Sequence, residues 1–118
     1  MSRPDVRRGQ LWLVDWSPGR GSEQLGKRPA LVIQTDAANS NPRYPNTIVL
    51  TLSTKGLTVA THVQLNPDSQ NGLRERSWVK CEQILTISKS RLITLWGTIS
   101  APDLGQVESA TRTALALP

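Results

Sequence analysis

The stretch RGSEQLGKRPALVIQTD, from Arg20 to Asp36, joins two unlike halves. Its first half is polar and rich in glycine, which is typical of a loop. Its second half turns apolar from Ala30 to Ile33 and predicts a short buried strand. Pro29 stands among the first residues of that strand, where no ladder donor is lost. Because a residue before proline is restricted to extended conformations, the side chain of Arg28 has a fixed direction at the mouth of this strand.

The segments around this stretch predict a mainly β fold. Alternating or β-branched runs predict further strands, and these cover residues 10–16, 47–54, 60–66, 77–85 and 92–99. The segment 86–90 is predicted to connect the last two strands, and one helical turn is expected in the loop after Asp36. Ser100 is placed to cap a C-terminal helix, with Pro102 and Asp103 in its first turn. Leu104, Val107 and Leu115 are expected on the apolar face of that helix. Five or six short strands and one amphipathic helix favour a small, strongly bent sheet or barrel.

The bulk composition predicts one domain, residues 1–118, with a basic surface. The 118 residues carry a net charge of +5, of which +4 belongs to residues 1–60, where eight Lys and Arg face four Asp and Glu. A basic excess points to an anionic partner such as nucleic acid, although many basic proteins bind none. The sequence has neither a membrane-length apolar run nor a signal segment, and its single Cys81 cannot form an internal disulfide. A cytoplasmic location and no membrane contact are expected.

Several classes of site are excluded by the sequence. It contains no C-x-x-C pattern, no histidine cluster and no phosphate-binding loop of the Walker or Rossmann type, so we expect no metal and no cofactor. The single histidine, His62, excludes a ribonuclease mechanism that uses two histidines of one chain. It is interpreted as a structural partner. The four tryptophans are expected in the core or an interface, and an exposed one could stack on a base.

The remaining candidates for chemistry are polar residues at strand ends. Arg28 could bind a phosphate through two parallel hydrogen bonds, or it could be a solvated strand-end arginine. Lys80 and Glu82 stand two apart and are predicted on one strand face, either as an acid-base pair or as an exposed ion pair. Ser53 and Thr54 end the strand before them and could donate to a phosphate oxygen, or could only shape the turn.

Taken in order, these segments resemble the MazF/PemK family of toxin endoribonucleases. The resemblance rests on "RGQLWLVDW", on "GSEQLGKRP" followed by "ALVI", and on the later segments "THVQL", "CEQILTISKSRL" and "GTIS". It covers residues 7–117. It implies a small SH3-like β-barrel that works as a homodimer without a metal or cofactor. It also implies cleavage of single-stranded mRNA at specific sequences, leaving a 2′,3′-cyclic phosphate and a 5′-hydroxyl, and inhibition by an antitoxin with a disordered acidic tail.

The resemblance also implies roles for individual residues. Arg28 matches the principal catalytic arginine, and Ser53, followed by Thr54, matches the catalytic hydroxyl position. Lys80 and Glu82 match the acid-base pair of the PemK branch, where we expect Glu82 to be the base if burial raises its pKa. The residues expected to contact RNA are Arg20, Glu23, Gln24, Lys27, Lys55 and Gln83.

Two other functions remain open on the sequence alone. A barrel without catalytic activity could bind RNA or sequester the antitoxin, since this chain reads Ser-Thr at positions 53–54 where many relatives read Thr-Ser. A related toxin could instead act on a protein such as a DNA topoisomerase, although the intact Arg28–Pro29 pair argues against that alternative.

Overall fold

The computed structural model describes residues 3–16 and 26–118, and within them the main feature is one antiparallel sheet with two helices. The strands are β1 (Gln10–Asp15), β2 (Lys27–Val32), β3 (Asn46–Ser53), β4 (His62–Leu65), β5 (Ser77–Ser88) and β6 (Leu92–Thr98). The helices are α1 (Asp36–Asn39), which is one turn long, and α2 (Ala101–Leu115). The strands lie in the order β4-β5-β3-β2-β1-β6. The predicted mainly β fold with a C-terminal helix is confirmed.

The sheet is buried on both faces, because successive side chains of a strand point in opposite directions. Leu11 and Leu50 belong to one apolar cluster, while their neighbours Trp12 and Val49 belong to the other, and all four are fully buried. The predicted alternation of β1 is therefore confirmed. Burial of such side chains contributes about 1.5–3 kcal/mol each to folding, and it fixes the register of the central strands.

Helix α2 covers the cluster that contains Leu11 and packs against β4 and β5. The Ser100 hydroxyl caps it as predicted, accepting a hydrogen bond from the Asp103 backbone N–H at 3.2 Å. Val107 is buried on its inner side, as expected. Leu115, the last residue of the helix, is 51% exposed and so is not packed against the sheet. The helix ends there, with Ala116 in the left-handed conformation. No helix in the described part of the chain is long and apolar enough to cross a membrane.

Strand β5 is longer than the sequence predicted. Residues 86–88 were expected in a connector, but Thr86, Ile87 and Ser88 continue the strand and pair with the first three residues of β3. Only the following residues, Lys89–Arg91, form a separate 3₁₀ turn. The prediction failed because Thr86 to Ser88 are extended by pairing with a distant segment, which local composition does not reveal.

A large bulge interrupts β5 opposite Leu50 and Thr51 of β3. Leu50 pairs with Ile84, but the next residue of β3, Thr51, pairs with Lys80. Three residues of β5, Cys81 to Gln83, therefore stand between partners that are adjacent on β3. The Cys81 backbone N–H bonds to the Thr61 carbonyl at 2.8 Å instead of to β3. Because a bulge bends its strand and redirects side chains, this one shapes the surface that β5 shares with β3.

Candidate active site

A cavity of about 330 Å³ opens where β2, β3 and β5 lie side by side. It contains three of the five predicted catalytic residues, Arg28, Ser53 and Lys80, together with Gln83. Its full lining is Trp16, Arg28, Pro29, Thr51, Leu52, Ser53, Lys80, Gln83 and Leu85. Arg28 and Gln83, which are 55 positions apart in sequence (83 minus 28), thus meet on one surface because β2, β3 and β5 lie side by side in the sheet.

Arg28 lies near the start of β2, opposite Val14 of β1, and its side chain is exposed. The neighbouring Lys27 is also exposed and lies opposite Asp15. The proline that follows holds the Arg28 backbone extended, so the strand presents the guanidinium at the cavity. A planar guanidinium offers two parallel donors to one phosphate, which a lysine does not.

The two candidate hydroxyls lie in different surroundings. Ser53, the last residue of β3, lines the cavity with Arg28, and its Oγ accepts a hydrogen bond from the Lys55 backbone N–H at 3.0 Å. Thr54 lines a separate cavity of about 650 Å³, formed between Pro29, residues 72–77 and residues 94–96. Ser53, and not Thr54, therefore lines the same cavity as Arg28.

Lys80 lies at the centre of this region. It pairs with Thr51 of β3 on one side and with His62 of β4 on the other, and its side chain is partly buried. Together Lys80 and Arg28 give the cavity two positive charges, while the described residues of its lining include no carboxylate. Such a surface attracts anions, and the partial exclusion of water from a concave surface strengthens that attraction.

The bulge of β5 turns Gln83 into the same cavity. The Thr51 hydroxyl donates to the side-chain carbonyl oxygen of Gln83 at 2.5 Å. With its oxygen held in this way, the Gln83 amide nitrogen is left to donate towards a ligand. Thr51 was not among the predicted site residues. The signal that would have found it is its position two residues before Ser53, which places both side chains on one face of β3.

Glu82 does not line the cavity, although Lys80 and Gln83, on either side of it in the sequence, both do. Its carboxylate pairs with His62, whose Nε2 is 3.1 Å from Glu82 Oε2. Partial burial raises the pKa of Glu82, but hydrogen bonds from its own backbone N–H, from His62 and from Thr61 outweigh that effect, and its pKa is lowered. The condition on which Glu82 was expected to be the base, a raised pKa, is therefore not met. The interpretation of His62 as a structural partner agrees with this pairing.

The described residues hold no cluster of three or more His, Cys, Asp and Glu side chains that could bind a metal ion. The one cysteine, Cys81, is fully buried on the side of β5 away from Lys80, and burial raises the pKa of its thiol to about 11. The thiol therefore stays protonated near neutral pH, and Cys81 is a core residue.

Comparison with known proteins places this geometry in a family. Residues 7–115 match the family of PemK-like, MazF-like toxins of type II toxin-antitoxin systems. The chain belongs to this family.

Relatives of this toxin are similar over almost their entire length. Endoribonuclease MazF of Staphylococcus epidermidis is 35% identical over 115 residues, which are 95% of this chain and 92% of the relative. Endoribonuclease MazF9 of Mycobacterium tuberculosis is 34% identical over 116 residues, covering 95% and 98% of the two chains. A solved mycobacterial endoribonuclease in complex with its cognate antitoxin superposes with a TM-score of 0.78 at 26% identity, with 96% and 97% of the chains covered. The fold implied by the family resemblance is confirmed.

Of the five remaining residues that were predicted to contact RNA, the structure describes two. Arg20, Glu23 and Gln24 lie outside the described residues. Lys27 and Lys55 are exposed, and Lys55 follows Ser53 by two positions. Trp16 and Leu85 also line the cavity, and neither was among the predicted site residues. They add an apolar wall on which a base could pack, while Arg28 and Lys80 supply charge.

Proposed function

We propose that this toxin is an endoribonuclease that cleaves single-stranded mRNA at specific base sequences. The relatives named above carry the name endoribonuclease. The observation that carries the proposal is the meeting of Arg28, Ser53 and Lys80 at one open cavity rich in positive charge. These residue types bind and polarise phosphate but include no nucleophile activated by a neighbouring base, which favours an attacking group supplied by the substrate itself.

The proposed reaction uses the 2′-hydroxyl of the RNA as its nucleophile. The 2′-oxygen attacks the adjacent phosphorus and loses its proton, and the bond from phosphorus to the 5′-oxygen of the next nucleotide breaks. The products are a 2′,3′-cyclic phosphate and a 5′-hydroxyl, which takes up a proton. Neither a metal nor a cofactor enters this scheme, because two cationic side chains are available to offset the charge that develops on the phosphate.

Each site residue has a role in this scheme. Arg28 binds the non-bridging phosphate oxygens and stabilises their charge in the transition state, and Lys80 adds a second positive charge. Ser53, whose Oγ already accepts from the Lys55 N–H, donates its hydroxyl proton to a phosphate oxygen. Glu82 is proposed as the base: it is ionised at neutral pH, although its lowered pKa makes it a weaker proton acceptor than a carboxylate with a raised pKa.

We further propose that the toxin acts in the cytoplasm as a homodimer of one toxin domain, residues 1–118, and that a cognate antitoxin inhibits it. The mycobacterial relative was solved in complex with its cognate antitoxin. The exposed cations Lys27, Arg28 and Lys55 suit an acidic, disordered tail as well as they suit RNA. An antitoxin tail bound there would cover the cavity and block the substrate.

The test is cleavage of a mixed-sequence RNA by the purified protein in the presence and absence of EDTA. We expect equal cleavage in both, with product ends that carry a cyclic phosphate. A matched RNA with one deoxynucleotide 5′ of the scissile bond is expected to bind but not to be cut. Cleavage of the deoxy-substituted bond would show attack by water and overturn the mechanism. RNA or antitoxin binding without any cleavage would instead support the non-catalytic alternative.

A further inference from the structure

His62 occupies an unusual position for the only histidine of the chain. It is the first residue of β4 and pairs with Lys80 across the sheet, and its side chain is only 8% exposed. Both ring nitrogens have partners, since Nδ1 is 3.0 Å from the Leu57 backbone nitrogen and Nε2 is 3.1 Å from Glu82 Oε2. His62 thus joins the loop between β3 and β4 to the bulge of β5.

The two hydrogen bonds define one form of the imidazole. The Leu57 backbone N–H is a donor, so Nδ1 has to be the acceptor and carries no proton. The ring proton of the neutral form is then on Nε2, where it is donated to the Glu82 carboxylate. The ring is therefore oriented from both ends, and its donor points at the carboxylate proposed as the base.

The loop that His62 holds, residues 54–61, begins directly after Ser53. Its backbone is fixed at a second point, because Gly56 lies against the ring of Trp78. A Cβ atom at Gly56 would be 2.2 Å from Trp78 Cγ, so only glycine permits this approach. Trp78 itself pairs with Ser53 across the sheet. The loop is thus fastened at two consecutive residues, within a few positions of the hydroxyl that lines the cavity.

We propose that His62 is a positioning residue for RNA cleavage: its neutral imidazole bonds to loop 54–61 on one side and to Glu82 in the bulge of β5 on the other, and so holds Ser53 in place relative to the β5 residues of the cavity. The inference rests on the proposed function, but it assigns His62 no proton transfer of its own. Nε2 orients the Glu82 carboxylate, and Nδ1 holds the backbone of the loop that follows Ser53 and contains Lys55.

Three variants separate the two hydrogen bonds. His62→Asn keeps an acceptor near the position of Nδ1, and His62→Gln keeps a donor near the position of Nε2, while His62→Ala keeps neither. We expect His62→Ala to lower kcat by about 10- to 100-fold, the range typical of residues that orient a functional group through a hydrogen bond. The Asn and Gln variants are expected to lie between His62→Ala and the wild type. KM is expected to change little, because no contact with RNA is removed.

The control is Gln64→Ala, two residues further along β4, where the side chain is exposed and bonds only locally to Asn66. It is expected to keep full activity. Urea unfolding of each variant measures the folded fraction, to which the rates are normalised. Normalised kcat values for the Ala, Asn and Gln variants equal to that of the wild type would overturn the inference. If His62→Ala does not fold, the Asn and Gln variants and the spectrum described next decide the question.

A spectroscopic measurement tests the arrangement without any substrate. Because the chain has a single histidine, the ring nitrogens of a ¹⁵N-labelled sample are assigned without ambiguity. We expect an unprotonated Nδ1 and a protonated Nε2 at neutral pH. A proton on Nδ1 would overturn the inference whatever the kinetics. If the wild type cuts no RNA, the proposed function fails and takes the positioning role with it. If the wild type cleaves RNA and His62→Ala is equally active, the inference about His62 is wrong and the proposed function stands.

Discussion

Arg28 shows how one position combines conformation with charge. The proline after it keeps the strand extended, and the exposed guanidinium lies at the edge of the cavity. From the residues alone, Arg28, Ser53 and Lys80 were each candidates with a structural alternative left open, and the family resemblance then implied a catalytic role for each.

We predict that Arg28→Ala lowers the cleavage rate by about 10²–10³-fold, the usual effect of removing one preorganised donor to a transition-state oxyanion. Arg28→Lys is expected to recover only part of the activity, because an ammonium group lacks the planar fork. The free energy of unfolding is expected to stay within about 0.5 kcal/mol, as for other exposed substitutions. Arg43→Ala, an exposed arginine in the loop before β3, serves as the control. Unaltered cleavage by folded Arg28→Ala would remove Arg28 from the catalytic site.

The two hydroxyls give a second prediction at this scale. Ser53 lines the cavity that contains Arg28, whereas Thr54 lines the other one. Ser53→Ala is therefore expected to slow single-turnover cleavage more than Thr54→Ala, and Ser53→Thr is expected to be tolerated because the hydroxyl is kept. The reverse order of the two alanine variants would assign the role to Thr54.

Individual elements differ in how far local sequence determines them. Strand β1 was predicted within one residue because its alternation of apolar side chains is visible locally. The cap of α2 at Ser100 was predicted for the same reason. The bulge of β5 was not, because it depends on which residues of β3 lie opposite Lys80 and Ile84. That bulge brings Gln83 to the cavity while Glu82 bonds to His62, so the site is less predictable than the fold.

Two glycine substitutions test the packing of separate elements. Gly56→Ala forces a methyl group into the Trp78 ring and is expected to lower the free energy of unfolding by about 1–3 kcal/mol. Gly105→Ala, in α2, meets no atom within 4 Å and is expected to raise that free energy by about 0.5–1 kcal/mol through helix propensity. Urea denaturation of the two variants and of the wild type measures both changes in the free energy of unfolding. Equal stabilities would mean that loop 54–61 does not rest on Trp78 in solution.

At the scale of the whole molecule, charge and fold act together. The net charge of +5 comes almost entirely from residues 1–60. The sheet brings Arg28 from that half and Lys80 from the other half to one cavity. The exposed Lys27 adjoins Arg28 in the chain, and the exposed Lys55 follows Ser53 by two positions. The asymmetry of charge could be read from the sequence, but the joining of the two halves required the pairing of β3 with β5. A surface of this charge favours an extended polyanion as its ligand.

RNA binding by this surface is therefore predicted to depend steeply on salt. If Lys27, Arg28, Lys55 and Lys80 each neutralise one phosphate, the slope of log K against log salt concentration is about −3, at roughly −0.7 per contact for single strands. Lys27→Ala is expected to reduce the steepness by about 0.7. Arg112→Ala, near the end of α2 beside Glu108, is expected to leave the slope unchanged. A non-cleavable deoxy-substituted RNA, titrated at several salt concentrations, provides the measurement.

The antitoxin tail is predicted to compete for the same cations but with a weaker dependence on salt. Its affinity includes burial of apolar side chains, for which Trp16 and Leu85 in the cavity wall are available, and salt does not screen that contribution. Raising the salt concentration should therefore shift a competition between RNA and the tail in favour of the tail. Simultaneous binding of both ligands would contradict a shared surface, and inhibition would then have to act elsewhere on the toxin.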